Sequence, residues 1–129
     1  PEALTLDEVD SLLCAPNTET YIGARDLAIL EVLYASGLRV SELCGLKIVS
    51  VSDESVKVFG KGGKERIVPI GSKAIMAVDR YLSLRENESE FLFLTDRGKP
   101  MDRILVWRMV KKYAHQAGIT KSISPHSLR

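Results

Sequence analysis

The chain has 129 residues, 45% of them apolar and 27% charged, and a formal net charge of +1. That length supports one domain around a single core, and no apolar run approaches the roughly 18 residues of a membrane span. The two cysteines, Cys14 and Cys44, lack a companion histidine cluster, which excludes a thiolate metal site; both are expected to be reduced, core-side thiols of a cytosolic protein.

Thr5-Leu6-Asp7-Glu8 fits a capping box, with Glu8 at the third helical position. Leu6, Val9, Leu12 and Leu13 then recur at helical spacing, and Pro16-Asn17-Thr18 breaks the helix. A second helix is expected from about Ile22 to Ala35, with Leu27, Leu30 and Leu33/Tyr34 inward and Gly37 as its stop. A short third helix near Val40 to Cys44 ends at Gly45. Beyond it the period changes. Ile48, Val49 and Val51 suggest a strand, and Ser55 to Phe59 and Arg66 to Ile70 alternate with period two. The glycine-rich turn Gly60 to Lys64 joins the last two, so a small three-stranded sheet is expected.

Ser72 is suited to cap a fourth helix, with Ile75, Val78 and Leu82 as its stripe. Asn87-Glu88-Ser89-Glu90 reads as a polar loop, Phe91 to Leu94 as a short apolar segment and Asp96 to Pro100 as a turn. A fifth helix runs from about Asp102 to Ala117, with Leu105/Val106, Met109/Val110, Tyr113 and Ala117 inward and Gly118 as its stop. Trp107 and Tyr113 are expected in the core. The fold class is mainly α (α+β): a helical domain with a small antiparallel sheet.

Charge is segregated along the chain. Residues 1–56 sum to −7, 57–73 to +4, 74–96 to −3 and 97–129 to +7. This pattern fits a basic face on an otherwise acidic body, suited to nucleic acid, and equally fits charges that intermix on folding. Ser124-Pro125-His126-Ser127-Leu128-Arg129 reads as the opening turn of a helix, with Ser124 as N-cap and Pro125 at the first helical position. His126 and Arg129 share one face of that turn. A proton-transfer group beside a permanent cation suits an anionic oxyacid such as phosphate. Arg39 lies in Gly37-Leu38-Arg39-Val40-Ser41-Glu42-Leu43, three residues before Glu42, which has the reach to orient its guanidinium. Lys61 lies at a glycine-flanked hairpin tip, where the backbone approaches a ligand closely. The string Gly60 to Arg66 is no P-loop, because it lacks the GxxxxGK[ST] spacing and opens no helix. Taken alone, Arg39 also fits a solvated or structural charge, and Lys61 an ordinary charged tip. Arg103, Arg108, Lys111 and Lys112 on the fifth helix fit either phosphate tracking or a solvated face, and His115 shares that face.

Together these motifs resemble one family. Ala35 to Leu46 is similar to the first arginine box of the tyrosine site-specific recombinases, Gly60 to Pro69 to their lysine hairpin, and Pro125 to Arg129 to their His-x-x-Arg motif. The resemblance covers nearly the whole chain and is closest to bacterial Xer-type recombinases and phage integrases. It implies a tyrosine recombinase catalytic-core-like fold and site-specific cleavage and rejoining of DNA through a 3′-phosphotyrosyl intermediate. It assigns Arg39 and Arg129 to the scissile phosphate, Lys61 to the leaving 5′-hydroxyl, His126 to acid–base work and Glu42 to orienting Arg39. Lys64 and Arg66 then become DNA-binding residues. No metal or nucleotide cofactor is implied.

The implied partners are a double-stranded DNA recombination site, further recombinase protomers in a homo- or hetero-tetramer, and a septal DNA translocase. The implied role is chromosome dimer resolution at cell division, in the cytoplasm at the nucleoid. An integrase of a phage or mobile element is the nearest alternative, and a non-catalytic DNA-binding module that kept the fold is a rival of another class. In the family the nucleophilic tyrosine follows the His-x-x-Arg motif, whereas Tyr21, Tyr34, Tyr81 and Tyr113 all precede it. Residues 1–129 are therefore expected to be an excised catalytic domain, lacking both the nucleophile segment and the N-terminal DNA-clamping domain, and inactive alone.

Overall fold

The computed structural model of the chain describes residues 3–123 and 125–128, with Lys61, Pro125 and His126 described by their backbone alone. Ser124 and Arg129, expected as helix cap and phosphate clamp, lie outside the described residues.

Helix α1 spans Leu6–Leu13. Its capping box is formed: Thr5 Oγ1 accepts the Glu8 N–H at 3.1 Å, and Glu8 Oε1 accepts the Thr5 N–H at 2.9 Å. Val9, Leu12 and Leu13 face the core, whereas Leu6 sits on the opposite side of the first turn, exposed. Helix α2, Tyr21–Ser36, is the centre of the fold. Ala28, Ile29, Leu30, Val32 and Leu33 are all fully buried, because α1, α3, α4 and the sheet pack around it. A helix enclosed in this way needs apolar residues all round; the one-sided stripe expected from sequence missed Ile29 and Val32 and placed the exposed Tyr34 inward. Gly37 ends α2 in the left-handed region, φ 66°, donating its N–H to Leu33 O at 3.0 Å.

Helix α3 is Val40–Cys44. The expected third strand does not form. Ile48–Ser50 is a 3₁₀ turn, and Val51 makes only an isolated bridge to Val56. The reason is local: the Ser50 and Val51 N–H groups close back on Lys47 O and Ile48 O, and Ile48 donates to Glu90 O, so few ladder donors remain in that run. The sheet therefore has two antiparallel strands, β1 (Ser55–Phe59) and β2 (Glu65–Pro69), in register Val56↔Val68 and Phe59↔Glu65. Val56 and Val58 point into the core.

Helix α4, Gly71–Leu84, starts one residue before the expected cap, so Ser72 lies inside its first turn. The N–H groups of Ile70 and Gly71 both go to Glu54 O instead. Its buried stripe is Ala74, Ala77, Val78 and Tyr81, with Ile75 and Leu82 half-buried at the margin. Tyr81 stacks on Tyr21 (centroids 5.5 Å) and leans on Phe93 (5.7 Å) in the middle of the core. Helix α5, Arg103–Gln116, begins one residue after the expected start; Asp102 is its N-cap, and the Asp102 carboxylate accepts the Leu105 N–H at 2.9 Å. Val106, Met109, Val110, Tyr113 and Ala114 face inward; Trp107, expected in the core, lies on the open side and is 40% exposed.

A buried polar cluster fixes α5 on α2. Asp26, 1% exposed, accepts Tyr113 Oη–H at 2.6 Å and the Arg25 guanidinium at 2.7 and 3.0 Å, while Arg25 Nη1 donates to Leu94 O at 3.0 Å. Burial and the Asp26 carboxylate together push the Tyr113 phenol well above its ordinary value. Cys44 is core-side, and burial pushes its thiol up to about 11, whereas Cys14 is exposed at the end of α1 and is not a core thiol. Among the described residues no helix is long and apolar enough to cross a membrane.

Candidate active site and nucleic-acid interface

Arg39 stands at the N-cap of α3, directly after the Gly37 turn. Its neighbours Leu38 and Val40 are both buried. In extended backbone (φ −68°, ψ 148°) alternate side chains point opposite ways, so anchoring 38 and 40 in the core turns Arg39 out to solvent. Its backbone N–H donates to Glu42 Oε1 at 3.0 Å.

Glu42 does more than this. Its carboxylate also receives the Arg66 guanidinium in a two-point clasp, Nη1 to Oε2 at 2.9 Å and Nη2 to Oε1 at 3.2 Å. Those hydrogen bonds, with help from the Arg39 N–H and against the opposing effect of burial, hold the Glu42 carboxyl below its ordinary value. Glu42 thus meets Arg39 through the backbone and gives its charge to Arg66.

Arg66 belongs to β2, whose hairpin carries Lys61. The turn is closed by Gly60 N–H to Lys64 O at 2.8 Å and Gly63 N–H to Gly60 O at 3.1 Å. Positive φ at Gly62 (79°) and Gly63 (73°) makes this reversal a glycine-only path. Lys64 is exposed beside it.

Across from Arg39, helix α5 presents Arg103, Ile104, Trp107, Arg108 and Lys111. Spacings of three and four put these on one helical face. They and Arg39, Val40 and Ser41 enclose an open groove of about 680 Å³. The fold therefore brings Arg39 together with three of the four α5 cations expected from sequence. Lys112 is turned away, its ammonium 4.7 Å from the centre of the Tyr113 ring. Trp107 is the residue that sequence reasoning missed: it lies in the groove wall with the Lys111 ammonium 5.6 Å above its ring. The recurrence Arg103, Trp107, Lys111 at intervals of four was the available signal. His115 is exposed on the next stretch of α5.

His126 lies in a 3₁₀ turn, Pro125–Leu128, which packs against α2 and α5 and is anchored by the buried Leu128. The stretch of chain leading to it is tied to α1: Lys121 Nζ donates to Glu8 Oε1 at 2.7 Å and to Ala3 O at 3.2 Å.

A mostly helical domain with a small hairpin, carrying an arginine at a helix cap opposite a basic helix, is the class of structure that the motifs implied. Residues 2–129 match the phage integrase family, and the chain belongs to that family. It is 48% identical over 140 residues to tyrosine recombinase XerD of Chlamydia trachomatis serovar D, covering 100% of this chain and 46% of that protein. Among solved structures it is similar to XerA recombinase (TM-score 0.89, 34% identity, 99% of this chain and 46% of that one). The fold is also shared with XerH recombinase in its post-cleavage complex with a palindromic difH substrate (TM-score 0.81, 20% identity, 99% and 40% coverage). The chain spans about half the length of the curated relatives it matches.

Proposed function

We propose that this chain is the catalytic portion of a site-specific DNA recombinase of the Xer type. The observation that carries the reading is the groove itself, in which Arg39 faces Arg103, Arg108 and Lys111 across a width open to a polyanion. The 48% identity to a XerD supports the Xer type in particular.

In this reading Arg39 and Arg129 hold the non-bridging oxygens of the scissile phosphate. Charge builds on those oxygens as the phosphorus becomes five-coordinate, and fixed guanidinium donors stabilise it. A tyrosine from outside this chain forms the new P–O bond while the P–O5′ bond breaks, and the Lys61 ammonium gives its proton to the departing 5′-oxygen. His126 exchanges a proton with the phosphate or the nucleophile. One phosphodiester is traded for one phosphotyrosine, so rejoining needs no outside energy source. Arg103, Arg108 and Lys111 track the DNA backbone, with Lys64 and Lys112 as outlying contacts. Tyr81 and Tyr113 do not suit the nucleophile's role, since both are buried and their phenols are pushed above the ordinary value by burial.

Four protomers acting on two DNA sites would complete the exchange. Chromosome dimer resolution at division, with a paired recombinase and a septal DNA translocase, is the biological role we assign, in the cytoplasm at the nucleoid. A binding-only module would not need the set Arg39, Lys61, His126 and Arg129. The test is a suicide DNA substrate carrying the recombination site. The full-length protein is expected to form a covalent protein–DNA adduct at a 3′-phosphate, and residues 1–129 alone none. An adduct with the isolated chain would contradict the assignment of the nucleophile.

A further inference from the structure

The family resemblance made Arg66 a DNA-binding residue. The geometry points instead to a positioning role, in which Arg66 latches the lysine hairpin onto the helix carrying Arg39, through the carboxylate of Glu42. The inference rests on the general-acid role proposed above for Lys61.

Three contacts carry it. Both outer nitrogens of the Arg66 guanidinium are taken by the two oxygens of Glu42, at 2.9 and 3.2 Å, a planar fork-on-fork pair that fixes orientation as well as distance. The same Glu42 Oε1 accepts the Arg39 N–H at 3.0 Å, so one carboxylate joins the hairpin to the cap of α3. The guanidinium also lies over Gly60, the residue immediately before Lys61. A Cβ at that position would meet Arg66 Nη1 at 3.4 Å, an ordinary van der Waals contact. The arm of Arg66 thus passes within van der Waals reach of the residue that leads into the tip. A hairpin of two five-residue strands has little rigidity of its own. Only the carboxylate side of the clasp is sheltered: the Glu42 side chain is 12% exposed, against 50% for Arg66.

A phosphate contact and a latch make opposite predictions. The full-length protein is assayed on two suicide substrates, one with the natural 5′-bridging oxygen and one with sulfur in that position. Sulfur departs as a thiolate and needs no proton. Arg66→Met is expected to cleave the oxygen substrate about 100-fold more slowly, the loss typical of a misplaced catalytic group, and to recover near wild-type rate on the sulfur substrate. Its affinity should keep the wild-type dependence on salt. Equal slowing on both substrates, with the slope of log K against log salt reduced by about 0.9, would mean a lost phosphate contact and overturn the latch.

Arg66→Lys guards against a folding defect. It keeps the charge and loses the fork, so the latch again predicts slow oxygen and rescued sulfur cleavage, and wild-type rates on both would overturn it. Lys61→Ala separates the two levels. If Lys61→Ala is rescued by sulfur and Arg66→Met is not, the latch alone fails. If Lys61→Ala is not rescued either, the general-acid role fails and the latch falls with it.

Discussion

Replacing Tyr113 by Phe removes one oxygen and tests how α5, with its row of cations, is held in place. The phenol donates at 2.6 Å to Asp26 Oδ2 inside the core, where Asp26 is 1% exposed. A hydrogen bond to a buried carboxylate contributes about 2 kcal/mol. With a urea dependence of about 2 kcal/mol per molar, the unfolding midpoint should fall by about 1 M at unchanged slope. The assay is urea denaturation of the 129-residue chain followed by circular dichroism, wild type against Tyr113→Phe. Asp26→Ala should fall further, by about 3–5 kcal/mol, because it leaves the Arg25 guanidinium buried without its carboxylate. A Tyr113→Phe midpoint within about 0.2 M of wild type would refute the claim that this cluster holds α5.

Gly23→Ala would drive a Cβ to within 1.8 Å of Asn17 O, a backbone atom that cannot yield, and should destabilise by about 3 kcal/mol or abolish soluble expression, read by the same urea curve. Glu31 is buried and its carboxyl is raised by burial, only partly offset by Lys73 at 3.8 Å. A raised folded value means that ionising Glu31 opposes folding as pH rises. Glu31→Gln should therefore raise the melting temperature at neutral pH, with the gain disappearing as pH falls through the ordinary carboxylate range. Glu8 and Glu42 are shifted the other way, Glu8 chiefly by Lys121 and Glu42 chiefly by Arg66, so their stabilisation is complete above the ordinary carboxylate range and is lost as pH falls below it. An acid titration of stability in Lys121→Met should lack part of that loss. Arg108→Ala should weaken DNA binding and lower the salt slope by about 0.9, measured by anisotropy at several salt concentrations.

Much of the fold was legible because its signals were local. The Thr5/Glu8 capping box, the Gly37 stop and the glycine turn at 60–64 each depend on neighbours within a few residues, and each formed where its residues stood. What was misread depended on distant packing. The Ile48–Val51 run has strand-like residues, but its backbone donors closed on themselves and on Glu90. Helix α2 looked one-sided until the elements that enclose it were in place. Trp107 looked like a core residue by type, whereas its position between Arg103 and Lys111 put it in the groove. In the candidate site, Arg39 was identifiable from its motif. The clasp between Glu42 and Arg66 spans 24 positions and has no local signature; only the folding of the hairpin against α3 brings the two together.

Arg39 is the residue on which the assignment of the groove stands. The measurement is the amount and rate of covalent DNA adduct formed by the full-length protein carrying Arg39→Ala, with its melting temperature taken alongside. Arg39 is exposed, so the fold should be unchanged, while loss of a transition-state donor should slow adduct formation by about 100-fold or more. Wild-type adduct formation by Arg39→Ala would contradict the assignment of this groove as the place where DNA is cut.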